Sequence, residues 1–180
     1  MNVLRHVIKS TTQETTMATI TFQGKPLNTS GELPAVGSDA PAFSLTSREL
    51  VDVTLATYAG KRKVLNIVPS LDTPTCAAST RKFNQKASHL DNTVVLAVSA
   101  DLPFAQSRFC ESEDLTDVIP LSTFRSSFSN DYGVTIADTF LRGLTARAVV
   151  IIDEHDKVIY TQLVGELANE PDYESALAVL

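Results

Sequence analysis

The chemistry of this chain rests first on two thiols. Its 180 residues include two cysteines, Cys76 and Cys110, and two methionines. Cys76 closes the run Thr73-Pro74-Thr75-Cys76, directly after the apolar segment KVLNIVPS. Thr73 is a good helix N-cap, and Pro74 suits the first helical position, where its missing N–H costs nothing. Cys76 is then the third helical residue. There, backbone N–H groups ahead of the first intrahelical bond and the positive end of the helix dipole stabilise an anion. The thiolate is the nucleophilic form of cysteine, so the position supplies reactivity as well as location. Seated after an apolar strand, the sulfur falls at the carboxyl edge of a sheet, where α/β proteins build sites. Phe83 and Ala87 share its helix face, which predicts a narrow, partly dry pocket.

Thirty-four positions further on, Cys110 ends the words SADLPFAQSRFC. The residues alone leave two readings open. In a reducing compartment a cysteine pair is more often transient and redox-active than structural. Equally, two unrelated buried thiols can serve as small hydrophobes. Other chemistries are poorly supplied. Two cysteines cannot complete a four-ligand zinc site, and His6, His89 and His155 show no ligand spacing. Seven glycines form no phosphate-cradling loop. No cofactor and no metal are expected. A formal charge of −6 leaves no basic surplus for nucleic acid. No stretch approaches the ~20 apolar residues of a membrane-spanning helix.

These residues need elements to hold them. Thr19–Gln23 and Lys25–Thr29 flank Gly24 and read as a short hairpin. Phe43–Leu45 and Val51–Thr54 read as short strand pieces around a polar loop. Lys63–Ser70 is a continuous apolar run opened by charge, the pattern of a central buried strand. The spacing predicts a helix over Pro74–Leu90, a strand over Thr93–Ala100 and a second helix opened by Pro103 that carries Phe104, Phe109 and Cys110. Arg147–Asp153 and Lys157–Val164 read as a hairpin, and Pro171 as the start of a closing helix. Strand, helix, strand, helix, hairpin, helix predicts an α/β sandwich of the thioredoxin type, a central mixed sheet flanked by helices, with an N-terminal β-hairpin extension. Residues 1–16 read as a poorly ordered extension, with Met17 an alternative start, and 17–180 as one domain. The apolar patch at 1–16 is split by Arg5, His6 and Lys9 and lacks a cleavage site, so no secretory signal is expected and the location reads as cytoplasmic.

Pro69-Ser-Leu-Asp-Thr73-Pro-Thr-Cys76 matches the P-x-x-x-[TS]-x-x-C motif of the peroxiredoxins. The words NIVPSLDTPTCAASTRKFNQ, SADLPFAQSRFC and ARAVVIID resemble their thiol peroxidase subfamily from about Phe22 to Leu180. The resemblance implies specific roles. Cys76 is the peroxidatic cysteine, which attacks the peroxide and becomes a sulfenic acid. Thr73 hydrogen-bonds thiolate and peroxide, Pro69 shapes and shields the pocket, and Arg147 supplies positive charge. Cys110 is the resolving cysteine, closing an intramolecular disulfide that a thioredoxin-like reductant reopens. Hydrogen peroxide and organic hydroperoxides are the implied substrates, with a lean to the organic ones, and a homodimer is the usual assembly. Chemistry supports the roles, because fixed donors aimed at the departing oxygen lower the barrier and arginine offers a rigid, permanently charged fork. Taken singly, Thr73 is only a helix cap, Pro69 a strand terminator and Arg147 a solvated strand-end charge; the joint pattern overturns those readings.

A disulfide needs Cα atoms about 4.4–6.8 Å apart, which two cysteines on separate helices are not expected to meet. The first turn of the Cys76 helix and the segment around Cys110 are therefore expected to unwind on oxidation. The acidic stretch ESEDLTD after Cys110 reads as a solvated helix end. Two rivals share the fold. A thiol–disulfide oxidoreductase needs a local dithiol, and Thr73 stands where its first cysteine belongs. A redox sensor or holdase could use the same pair as a switch, but does not require the full set of catalytic positions.

Overall fold

The computed structural model describes residues 16–87 and 89–180. The expected extension over 1–16 thus lies almost wholly outside the described residues. β1 (Thr19–Phe22) and β2 (Lys25–Asn28) form the N-terminal hairpin, paired from Thr19↔Asn28 to Phe22↔Lys25. The main sheet is built from β3 (Ser44–Ser47), β4 (Asp52–Thr54), β5 (Arg62–Ile67), β6 (Thr93–Ser99), β7 (Val118–Ser122), β8 (Ala148–Ile152) and β9 (Val158–Leu163). Its order is β4-β3-β7-β6-β5-β8-β9. β5, β6 and β7 run parallel, and the remaining neighbours are antiparallel. This is the α/β thioredoxin-like architecture that the order of apolar runs predicts, hairpin included.

Strand periodicity divides the core into two layers. Val64 on β5 and Val68 just past its end face one cluster, with Cys76, Phe83, Phe109, Cys110 and Ala176. Leu65 and Ile67 face the other, with Phe43, Phe128, Tyr132 and Val150. The first layer is the helical one. α1 (Pro74–Ala87) and α2 (Pro103–Ser112) supply it, joined by the short α4 (Tyr173–Leu177). Phe83 is fully buried, its ring edge-on to Tyr173 at 5.2 Å. Burial of a side chain that size contributes about 1.5–3 kcal/mol.

Three features depart from the sequence reading. α1 ends at Ala87 rather than Leu90, because His89 and Leu90 donate to Lys86 and Ala87 in tighter i→i−3 turns. α4 starts at Tyr173, with the Asp172 carboxylate accepting from Ser175 N as its cap, so Pro171 only precedes it. Three described elements had no expectation at all: the 3-10 turn Leu55–Tyr58, β7, and the four-residue α3 (Phe128–Asp131). β7 contains Pro120, which argues against a central strand. The sheet tolerates it because β3 pairs only with Leu121 and Ser122, so β7 has an open side at Pro120.

Candidate active site

β5 ends at Ile67, and the chain turns through buried Pro69 into α1. A carboxylate holds that turn. Asp101, just beyond β6, accepts from Ser70 Oγ and Leu71 N, each at 2.7 Å, and from Ser99 Oγ at 2.8 Å. α1 then begins at Pro74, and Ala77 N donates to Thr73 O at 2.9 Å, so Cys76 is the third helical residue. Its carbonyl accepts from Ser79 Oγ at 3.0 Å and Thr80 Oγ1 at 2.9 Å. Asn66, fully buried on β5, donates to Thr80 Oγ1 at 3.3 Å and ties this turn to the sheet.

Arg147 enters from the far side, one residue before β8. It is only 2% exposed, not the solvated strand-end charge that a lone arginine would be but a side chain turned in toward the thiol, as the joint pattern of residues implies. Its Nη2 donates to Cys76 Sγ at 3.4 Å and its Nε to Leu167 O at 3.2 Å. Nη1 is buried with no hydrogen-bond partner. No carboxylate forms an ion pair with Arg147 among the described residues. A buried cation is costly unless compensated, so the sulfur and whatever anion or dipole meets Nη1 are its available partners. Glu170 lies nearby, its carboxyl held below the ordinary range mainly by the Lys82 hydrogen bond, then by Tyr173, with Arg147 a lesser cause.

Beside this pair opens a cavity of about 240 Å³ whose wall includes Phe22, Pro69, Thr73, Leu141, Arg147 and Leu167. Pro69, Thr73 and Arg147 thus line one cavity, and Arg147 links that wall to the sulfur of fully buried Cys76. Thr73 is part of the cavity wall, and its hydroxyl makes no hydrogen bond to the sulfur among the described residues. Phe22 comes from the N-terminal hairpin. Glu166 clamps that hairpin, accepting from Thr21 Oγ1 at 2.8 Å, Gln23 N at 3.0 Å, Gly24 N at 3.2 Å and Ala168 N at 3.2 Å. Thr75 Oγ1 donates to Ala168 O at 3.1 Å, closing the same rim. Sequence reasoning missed Asp101, Glu166, Thr75 and the Leu167 carbonyl. All act through partners remote in sequence, and no local motif marks them.

Cys110 is elsewhere. It is 2% exposed in α2, shares the apolar cluster of Cys76 and lines no part of this cavity. Both thiols are free. Burial pushes the Cys110 thiol up to about 11, with the Arg48 charge pulling weakly the other way. Among the described residues, no three His, Cys, Asp or Glu side chains converge as a metal site. No helix there is long and apolar enough to cross a membrane.

A buried thiol against a buried, otherwise unpaired guanidinium, at the carboxyl end of a thioredoxin-like strand, is the arrangement to set beside known proteins. The Redoxin family model matches residues 35–177. The thiol peroxidase of Corynebacterium glutamicum is 51% identical over 164 residues, covering 91% of this chain and 99% of that protein. The thiol peroxidase of Mycobacterium tuberculosis is 54% identical over the same shares. The chain belongs to the redoxin family, among its thiol peroxidases. It is accordingly a peroxiredoxin enzyme. Of solved structures, a peroxiredoxin-like protein from Aquifex aeolicus superposes with a TM-score of 0.85 at 40% identity, covering 90% of this chain and 95% of that one. A thiol peroxidase from Chromobacterium violaceum reaches a TM-score of 0.83 at 21% identity, a likeness of fold.

Proposed function

We propose that Cys76 carries the peroxidase chemistry and that Cys110 resolves it. The contact between Arg147 Nη2 and Cys76 Sγ at 3.4 Å, made by a buried guanidinium whose residue also lines the cavity, is the observation that carries this reading. The Cys76 thiolate attacks one oxygen of a hydroperoxide. An S–O bond forms, the O–O bond breaks, and the other oxygen leaves as alcohol or water after taking a proton. Negative charge moves from sulfur to the departing oxygen, where Nη1 of Arg147 and the Thr73 hydroxyl are the donors at hand. Pro69 walls the cavity and limits water. Cys110 then attacks the sulfenic sulfur: the S–S bond forms, the S–O bond breaks, and hydroxide leaves as water with the Cys110 proton. A thioredoxin-like dithiol reduces the bridge.

The cavity admits hydrogen peroxide and, along Phe22, Leu141, Leu144 and Leu167, the apolar body of an alkyl hydroperoxide. The reading makes the protein an antioxidant enzyme, with the cytoplasm as its place of work. A homodimer is part of the reading; Phe140, 83% exposed and edge-on to Phe22 at 6.2 Å, gives a second copy an apolar rim to cover. Sedimentation showing only monomer at micromolar concentration removes this last element.

The deciding experiment is stopped-flow reaction of the reduced protein with cumene hydroperoxide and with hydrogen peroxide, for wild type, Cys76→Ser and Cys110→Ser. Products are weighed by mass spectrometry. Fast reaction lost in Cys76→Ser, with sulfenic or more oxidised Cys76 accumulating in Cys110→Ser, is expected. Equal rates in all three proteins overturn the assignment and favour a redox sensor.

A further inference from the structure

The two cysteine helices are separated at the surface by a groove of about 380 Å³, lined by Asp72, Pro74, Ala77, Arg108, Phe109 and Glu113 among others. Polar bridges span it. Arg81 on α1 binds Glu113, the residue capping α2, through two parallel bonds: Nε to Oε2 at 2.6 Å and Nη2 to Oε1 at 2.8 Å. Arg108 on α2 reaches Asp72, ahead of α1, at 3.4 Å. The Asn84 side-chain oxygen on α1 accepts from Asp117 N at 2.8 Å, past the end of α2. Of these, the Arg81–Glu113 fork has the planar, bidentate geometry that makes an exposed ion pair count. Each partner responds to the other: Glu113 holds the Arg81 guanidinium above its usual value, and Arg81 holds the Glu113 carboxyl below its own.

Resting on the peroxidase reading above, we infer that the Arg81–Glu113 fork is a latch that sets how long Cys76 stays oxidised before Cys110 reaches it. Cys76 and Cys110 are both buried and helical, 0% and 2% exposed, on elements the fork ties together. Disulfide closure requires α2 and the first turn of α1 to leave these positions, and the fork must open when they do. Attack on the peroxide requires no such movement. Arg81 and Glu113 are therefore positioning residues for the second step alone. A tight latch lengthens the life of the sulfenic acid, and during that life a second hydroperoxide can oxidise it to sulfinic acid, releasing another alcohol or water. The latch thus sets the peroxide concentration at which the enzyme inactivates itself. The side chains are 45% and 29% exposed, so the bridge is screened by salt and its effect is small. A two- to fivefold change in closure rate is expected.

The test uses the full chain as wild type, Arg81→Glu, Glu113→Arg and the double swap Arg81→Glu/Glu113→Arg. Rapid quench with an alkylating thiol reagent and mass spectrometry reads three quantities: loss of the Cys76 thiol, appearance of the disulfide, and the sulfinic fraction against cumene hydroperoxide concentration. Thiol loss should be unchanged in all four proteins. The single variants should close the disulfide about two- to fivefold faster and need proportionately more peroxide for half inactivation, and the swap should return both toward wild type. Wild type alone should close faster in 0.5 M than in 0.05 M salt, which keeps the test informative if a variant folds poorly. Unchanged closure in both single variants, or a swap that behaves as the sum of the two, overturns the latch while leaving the peroxidase reading standing. A wild type that yields neither an oxidised Cys76 nor a disulfide with cumene hydroperoxide overturns both.

Discussion

Arg147 Nη2 donates to Cys76 Sγ at 3.4 Å, while its twin Nη1 is buried with no partner among the described residues. A guanidinium held this way has spare donor capacity fixed in place before any ligand arrives. Its Nε bond to Leu167 O sets the orientation of the fork.

The first prediction concerns that fork. Arg147→Lys keeps the charge but removes the planar geometry and cannot satisfy sulfur and Leu167 O together. The rate constant for peroxide reaction is expected to fall about 10²–10³-fold, the usual effect of removing one preorganised donor. Stopped-flow measurement at matched thiol content checks it; a loss under threefold would show that the charge alone suffices.

Cys110 makes a pH prediction of definite sign. Its folded-state value of about 11 lies above the ordinary 9.0 because burial penalises the thiolate. An acid raised on folding contributes stability that is present below the unfolded value and disappears between the two values. Wild type should therefore lose stability more steeply than Cys110→Ser from pH 9 to 11, with a full difference on the order of 2–3 kcal/mol. Urea unfolding across that range reads it.

Glu166 has the opposite sign. Its carboxyl is held at about 2, first by the Thr21 hydroxyl, working against burial, and then by the backbone amides of Gly24, Ala168 and Gln23. Its clamp on the hairpin is complete above the ordinary 4.5 and fails as pH falls toward 2. Amide exchange at Gln23 and Gly24 should accelerate over that interval in wild type, and already be fast at neutral pH in Glu166→Gln. Because Phe22 forms part of the cavity wall, the same variant should show weaker saturation by an alkyl hydroperoxide and unaltered reaction with hydrogen peroxide.

Lys63 is a fully buried lysine whose ammonium pairs with Asp156, which is 43% exposed, and lies 3.5 Å from Asp153 O. The two partners should respond unequally. Asp156→Asn leaves a buried cation without its anion and is expected to cost on the order of 2–3 kcal/mol, less than a fully enclosed pair. Lys63→Met leaves a carboxylate that water can reach and should cost under ~1 kcal/mol. Asparagine also suits the positive φ of 60° at position 156, so backbone strain does not confuse the comparison. Equal losses in the two variants would show that packing, not charge, holds Lys63.

The amino-acid order by itself determined the thioredoxin-like class, the hairpin, and Cys76 in the first turn of a helix after a buried strand. These are local matters: apolar periodicity, a Thr-Pro start signal and turn residues act over a few positions, so they can be read along the chain. The resemblance of Pro69, Thr73, Cys76, Cys110 and Arg147 to a family's pattern marks them as one set. It did not say how they meet. Folding alone decided that Arg147 is buried with only Nη1 left without a partner, since the partners of Nη2 and Nε are a sulfur 71 positions away and a carbonyl 20 away. Folding likewise decided that Pro120 can sit in a strand, because the neighbouring strand stops one residue short of it. Asp101, Glu166 and the Arg81–Glu113 fork carry no signature in sequence for the same reason. A carboxylate's work depends on which donors the tertiary structure brings within 3 Å, and that is settled only when distant segments pack together.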